Sequence, residues 1–177
     1  CNLSLTLGQP RLPDFPTPPG LTLDDYLLQQ SEIGLKRHME RNFYGTLLTA
    51  DATRENPRDN VRQPYHGSVK PGEQYLQEAR RREPTTYYGA TSGVGLAIAQ
   101  AQASGPANRV GLIGLGAGVL AAYGRPGDNY RFYEINPAVL SVAQSEFTFM
   151  RDSRAHIDTV LGDARLEVLR AGGLRQD

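Results

Sequence analysis

Along the second half of the chain, short apolar runs alternate with segments whose apolar residues recur at helical spacing. VGLI (110–113) is an uninterrupted apolar run of the kind that marks a strand buried on both faces. AGVLAAYG follows it and predicts a helix over 117–124. YRFYEI (130–135) and HIDTVL (156–161) predict two further strands. Between them, Asn136-Pro137 is a good N-cap and first-turn pair, so 137–150 is expected to be helical. GDARLEVLRAGG (162–173) predicts a turn and a helix ending in glycines, and SGVGLAIAQAQ (92–102) a helix opened by Ser92 and ended near Gly105-Pro106. This alternation predicts an α/β fold with a doubly wound parallel sheet. Three strands leave such a sheet incomplete, so its remaining strands are expected beyond residue 177.

Upstream the pattern differs. NFYGTLLTA (42–50) and VRQPYHG (61–67) are rich in β-branched and aromatic residues and predict strands, with Pro64 putting the second at an edge or a bulge. Asn56-Pro57 and Asp59-Asn60 are turn signals between them, and VKPGEQYL predicts a turn and a short strand. Residues 42–84 are therefore expected to be a small antiparallel β unit, with EARRREP a solvated charged turn. Residues 1–41 are expected to be an extended arm with short helices. GQPRLPDFPTPPG (8–20) has five prolines, Thr22 caps a short helix with Asp24 and Asp25 in its first turn, and 31–41 is a polar helical piece. The third region, 85–177, carries the α/β pattern.

The chain has 177 residues and balanced charge, 19 Lys and Arg against 19 Asp and Glu, which argues against nucleic acid as the main partner. Its one cysteine, Cys1, excludes an internal disulfide and a cysteine-based zinc site, and no metal is expected. No apolar run approaches the roughly 18 residues of a membrane span and no signal peptide is visible, so the default expectation is cytoplasmic. Because the chain starts at Cys1, it reads as an excerpt or a processed form, with room for an upstream membrane domain in a parent chain.

The candidate chemistry lies at the predicted strand ends. Gly114, Gly116 and Gly118 form a GxGxG turn between the strand at 110–113 and the helix after it. A dinucleotide fingerprint needs its third glycine three residues after the second, where Val119 stands, so that fingerprint fails. No P-loop lysine is present, which removes a triphosphate. What remains is a nucleoside site or a tight turn with no ligand. Glu134 follows Gly114 by twenty residues at the next strand end, where a carboxylate can accept from both ribose hydroxyls or simply stay solvated. Asp163 and Ala164 close the third strand, where Asp163 can accept from an adenine amino group, cap the helix after it, or both. An adenosine carrying a sulfonium fits this set better than a dinucleotide.

NFYGTLL, YHGSVKPGEQYL, PTTYYGATSGVGLA, VGLIGLGAGVLAAYG, YRFYEINPAV and GDARLEVL together resemble the spermidine synthase (polyamine aminopropyltransferase) family, closest to bacterial domains of that kind fused to transporter-like membrane segments. The resemblance runs from about Asn42 to the end. It implies a class I S-adenosylmethionine-dependent methyltransferase-like Rossmann fold, a homodimer formed through the β unit, and polyamine biosynthesis. It also implies that Gly114, Gly116, Gly118, Glu134, Asp163 and Ala164 hold decarboxylated S-adenosylmethionine. Gln74 would lie near the aminopropyl end of that donor, and Tyr87 or Tyr88 in the substrate cavity. His66 matches a histidine of the fused subgroup without an assignable role, and a turn histidine is an equal reading. The implied activity is aminopropyl transfer to a polyamine or other amine. S-adenosylmethionine-dependent methyl transfer and non-catalytic nucleoside binding remain as alternatives. Three departures stand out. TYYGATSG lacks the acid that would meet a polyamine ammonium, Lys70-Pro71 interrupts the HG…GxQ segment, and the family's catalytic aspartate is expected beyond residue 177.

Overall fold

The computed structural model describes residues 34–105 and 108–171. The arm at 8–20, the helix capped by Thr22 and the glycine-ended close of the last helix at 172–173 lie outside the described residues.

The first sheet has four antiparallel strands in chain order: β1 (Leu35–Asn42), β2 (Gly45–Ala52), β3 (Val61–His66) and β4 (Gln74–Tyr75). Asn42 pairs with Gly45 across a two-residue turn, and the Asn42 side chain accepts from the Tyr44 N–H at 2.9 Å. That local bond is the habit of asparagine in turns, and the φ of +124° at Gly45 is one that only glycine adopts readily. β2 and β3 are joined through a 3-10 turn at Pro57–Asp59, capped by Asn56. β4 pairs only with Val61 and Arg62, so Pro64 sits where β3 has lost its second neighbour, and its missing N–H costs no ladder bond there.

β1 corrects the sequence reading. LKRHMERN is built of good helix formers, yet it pairs along β2 from Leu35 to Asn42 with one irregularity between Lys36 and His38. Intrinsic preference is a weak prior against a hairpin partner a few residues away. Arg37 fixes the strand further, with one guanidinium bond to Glu146 at 2.9 Å and another to Asp51 at 3.4 Å. Arg62 adds two bonds to Asp51, at 2.7 and 3.0 Å, and one to the Glu146 carbonyl at 2.9 Å. This network fastens the first sheet to the end of a helix in the second half.

The second sheet has three parallel strands, β5 (Arg109–Ile113), β6 (Asn129–Glu134) and β7 (His156–Leu161), in that spatial order. Three α-helices accompany it among the described residues: α1 (Gly93–Ala103), α2 (Pro137–Glu146) and α3 (Ala164–Ala171). This corrects the expected fold class. A doubly wound Rossmann sheet reverses its strand order so that helices cover both faces. Here the order follows the chain without reversal, and Gly111, Ile113 and Arg131 leave one face exposed, Ile113 at 79%. The expected helix at 117–124 is a 3-10 helix over Val119–Tyr123. α2 also stops four residues early. Phe147 turns extended, the Thr148 N–H donates to the Gln74 side chain at 3.1 Å, and Phe147 and Phe149 enter the core.

The core lies between the second sheet, α2 and the 3-10 helix, with Leu115, Val119, Tyr130, Phe132, Val139, Val142, Phe147 and Phe149 buried and Leu47 reaching in from β2. No helix among the described residues is long and apolar enough to cross a membrane.

Asp128 closes the turn before β6. Its buried carboxylate accepts from the N–H groups of Asn108 at 2.8 Å and Arg125 at 2.9 Å. Burial alone would push its pKa up, but those N–H groups and the Arg125 guanidinium outweigh it and hold the carboxyl below its ordinary value. A depressed carboxylate stabilises the fold above the unfolded-state pKa, about 4, and loses that contribution as pH falls through the folded value. Asp128→Ala is expected to destabilise the chain by about 2–3 kcal/mol at pH 7 in urea unfolding. The difference from wild type should shrink as the titration is repeated below pH 4; a constant difference would remove the ionised group as its cause.

Candidate functional site

The glycine turn, Gly114 to Gly118, leaves β5 with positive φ at all three glycines: +85°, +56° and +79°. A side chain at any of them would be strained, but the three have different surroundings. A Cβ at Gly114 would point into open space. A Cβ at Gly116 would lie 3.2 Å from the Pro71 carbonyl and 3.3 Å from its Cβ, and one at Gly118 would lie 3.1 Å from Met150. Gly114 thus leaves room beside the strand end, whereas Gly116 and Gly118 admit protein neighbours.

Glu134 holds this turn in place. At the end of β6, its carboxylate accepts from the Leu115 N–H at 2.9 Å and from the Asn136 N–H at 2.9 Å. Each carboxylate oxygen can take about two hydrogen bonds, so each retains capacity for a ligand hydroxyl. Asn136, itself buried, caps α2 by accepting from the Ala138 N–H at 3.1 Å and accepts a second bond from the Asn42 amide at 2.7 Å. Asn42 is thereby tied to the site, although the sequence reading treats it only as a strand start. The signal that could have found it is the Asn-x-x-Gly hairpin, which fixes its side chain at the turn.

Two hollows meet at this point. The first, about 740 Å³, opens at the carboxyl ends of the parallel strands and is lined by Gly114, Glu134, Gly162, Asp163, Ala164 and Arg165 with apolar neighbours. The second, about 280 Å³, lies toward the antiparallel sheet, with Leu47, Leu48, Pro64, His66, Pro71 and Tyr88 in its wall. Ile113, Gly114 and Glu134 belong to both walls.

The structure brings Gly114, Glu134, Asp163 and Ala164 together on the first hollow, and places Gly116 and Tyr88 on the second. Asp163 also caps α3, accepting on Oδ1 from the N–H groups of Arg165 at 2.8 Å and Leu166 at 3.3 Å. Burial, with a smaller effect of Tyr87, pushes the Tyr88 hydroxyl up to about 12. Gly118 and Tyr87 stand outside both walls. Tyr87 is exposed, packs its ring 4.5 Å from Tyr88 and reaches the Lys70 carbonyl at 3.3 Å. Gln74 also stands outside them. It is buried, and its amide ties the Arg81 carbonyl, the Thr148 hydroxyl and the Thr148 N–H. No group of three His, Cys, Asp or Glu that could hold a metal ion occurs among the described residues.

Gly116→Ala is expected to cost more stability than Gly114→Ala in urea unfolding. Both incur about 1–2 kcal/mol of left-handed strain, and only the first also displaces Pro71. Equal midpoints would mean that the two segments do not press on each other.

Comparison with known proteins does not support the family resemblance. No protein-family model matches the chain, and no solved structure matches it. The chain matches DNA polymerase III subunit alpha of Neisseria meningitidis serogroup B (strain MC58) at 59% identity over 39 residues, which is 22% of this chain and 3% of that protein. The serogroup A protein (strain Z2491) gives the same figures. The Pseudomonas aeruginosa protein of the same name is 50% identical over 40 residues, 23% of this chain and 3% of that one. The chain therefore spans about 3% of the length of the curated relatives it matches. These findings overturn the expected spermidine synthase family and, with it, the descriptions drawn from that family: polyamine biosynthesis, a methyltransferase-like fold and the family's dimer. The physical reason is that a glycine turn, a strand-end acid and a capping aspartate are local solutions to strand-to-helix turns, open to many folds. The short stretch shared with the polymerase subunits covers too little of either chain to assign this one to their family.

Proposed function

We propose that the 740 Å³ hollow binds an adenosine-type nucleoside bearing an alkyl sulfonium, and that the adjoining 280 Å³ cavity receives an amine to which the alkyl group is transferred. The reading rests on the geometry of the site and on no family. The observation that carries it is that Gly114 and Glu134 stand in both walls, so a ligand seated over one reaches the other. Glu134 would accept from the ribose hydroxyls with its remaining lone pairs, and Asp163 would accept from the adenine amino group on Oδ2 while Oδ1 keeps its cap.

The cavity wall favours decarboxylated S-adenosylmethionine as donor and its aminopropyl group as cargo. Among the described residues no Lys or Arg lines that cavity, so the carboxylate of S-adenosylmethionine would meet no permanent cation from them. Displacement at the carbon beside the sulfonium needs little beyond alignment of nucleophile, carbon and sulfur, and positioning alone supplies several kcal/mol. Methyl transfer from S-adenosylmethionine is the alternative that the same hollow admits, with Arg165 at its rim as a cation for the carboxylate.

Calorimetry with decarboxylated S-adenosylmethionine, S-adenosylmethionine and methylthioadenosine tests this reading. Asp163→Asn keeps the helix cap but replaces the outer acceptor with a donor. It is expected to weaken nucleoside binding about tenfold, about 1.4 kcal/mol, with unfolding unchanged. Tighter binding of S-adenosylmethionine than of its decarboxylated form would turn the reading to methyl transfer, and no binding of any of the three would end it.

A further inference from the structure

Transfer to an amine needs a group that takes a proton, because an amine at neutral pH is an ammonium and has no lone pair to attack with. Among the described residues, four titratable ones stand in the wall of the 280 Å³ cavity: Tyr65, His66, Tyr88 and Glu134. The first, third and fourth are poorly placed for the task. The Tyr65 hydroxyl is itself a donor, bonded to the Gln63 side-chain amide oxygen at 2.7 Å. Tyr88 is pushed up to about 12 and is a protonated phenol at neutral pH. Glu134 already accepts a backbone N–H on each oxygen, and those bonds engage it in tying the two strand-end turns together.

His66 is different. It ends β3 and is partly buried, and its Nε2 lies 2.7 Å from the Tyr44 carbonyl oxygen in the β1–β2 turn. A carbonyl only accepts, so Nε2 carries the hydrogen. In a neutral imidazole the other nitrogen, Nδ1, then holds a lone pair. No hydrogen bond to Nδ1 occurs among the described residues. The His66 N–H also donates to the Val69 carbonyl at 2.8 Å, which fixes the backbone from which the ring projects. The ring is thus held in one tautomer by a turn whose own geometry is set by Asn42 and Gly45.

We propose that His66 is the proton acceptor of this site, taking a proton on Nδ1 from an amine bound in the apolar cavity. The inference rests on the transfer reading above. The amine enters as an ammonium and passes one proton to Nδ1, giving an imidazolium. Its freed lone pair attacks the carbon beside the sulfonium. The new C–N bond forms as the C–S bond breaks, with that electron pair moving to sulfur and leaving a neutral thioether nucleoside. The product leaves as a secondary ammonium, and the imidazolium returns its proton to solvent. One positive charge on each reactant becomes one on the product amine and one on the ring.

His66→Gln tests this directly, because a Gln amide can still donate to the Tyr44 carbonyl but has no basic nitrogen. With decarboxylated S-adenosylmethionine and 1,4-diaminobutane as probes, methylthioadenosine release by the full chain is expected to fall about 100-fold or more. Donor binding by calorimetry should stay unchanged, and the acid limb of the wild-type kcat profile should disappear. In wild-type protein, 15N imidazole shifts should report hydrogen on Nε2 and none on Nδ1 of His66, a measurement independent of whether the variant folds. A hydrogen on Nδ1, or wild-type turnover in His66→Gln, overturns this proposal and leaves the nucleoside reading standing. Donor bound without turnover in the wild type also overturns it. Absence of donor binding in the wild type overturns the nucleoside reading, and His66 falls with it.

Discussion

Two backbone N–H groups, those of Leu115 and Asn136, end on the two oxygens of one carboxylate, Glu134. One belongs to the turn that leaves β5 and the other to the turn that leaves β6. Hydrogen bonds to an ionised acceptor contribute about 1.5–3 kcal/mol each, so the two turns are held as a pair. The Asn136 side chain extends the link to Asn42 in the antiparallel sheet, and Asn42 sets the turn that presents the Tyr44 carbonyl to His66. A single chain of hydrogen bonds thus runs from the glycine turn to the far wall of the apolar cavity. Every group assigned a role in the proposed chemistry, apart from those around Asp163, lies on it or touches it.

Packing completes what that chain begins. Pro71 rests on Gly116, and Gly72 stands so close to Val119 that an added Cβ would come within 2.7 Å of its methyl group. The glycine turn therefore serves two purposes. At Gly114 the missing side chain leaves open space at the strand end, and at Gly116 it lets a loop of the antiparallel sheet approach. The Arg62 and Arg37 bonds to Asp51 and Glu146 fasten the same two sheets at a second point.

How much of this could be read from the chain depends on how local each feature is. β5, β6 and β7 were legible because VGLI, YRFYEI and HIDTVL carry their own β signal, and the caps at Ser92, Asn136 and Asp163 were legible because each acts within three residues. β1 was not, because LKRHMERN has no β character and becomes a strand only through its partner. The absence of a doubly wound sheet was not legible either. Strand-helix alternation states that strands are parallel, but the order in which they lie side by side is a tertiary choice. Of the site residues, the four set by strand ends converge, whereas Gln74 and Tyr87 were tied to the site by resemblance alone and are held elsewhere by Thr148 and Lys70. His66 was singled out by resemblance alone and without a role, since which of its nitrogens faces a carbonyl 22 residues away is a tertiary matter.

The close fit of Pro71-Gly72 against Gly116 and Val119 has a consequence for recombination. The two sheets look like separable modules, one antiparallel and one parallel, and the chain between β4 and α1 is the obvious place for a crossover that exchanges them. Such a hybrid would inherit a loop from one parent and a turn from the other. It would fit only if both parents kept a small residue where 72 meets 119 and an asparagine where 42 meets 136. The boundary across which parts can be traded therefore lies in the contacts, and the loop between the sheets does not mark it.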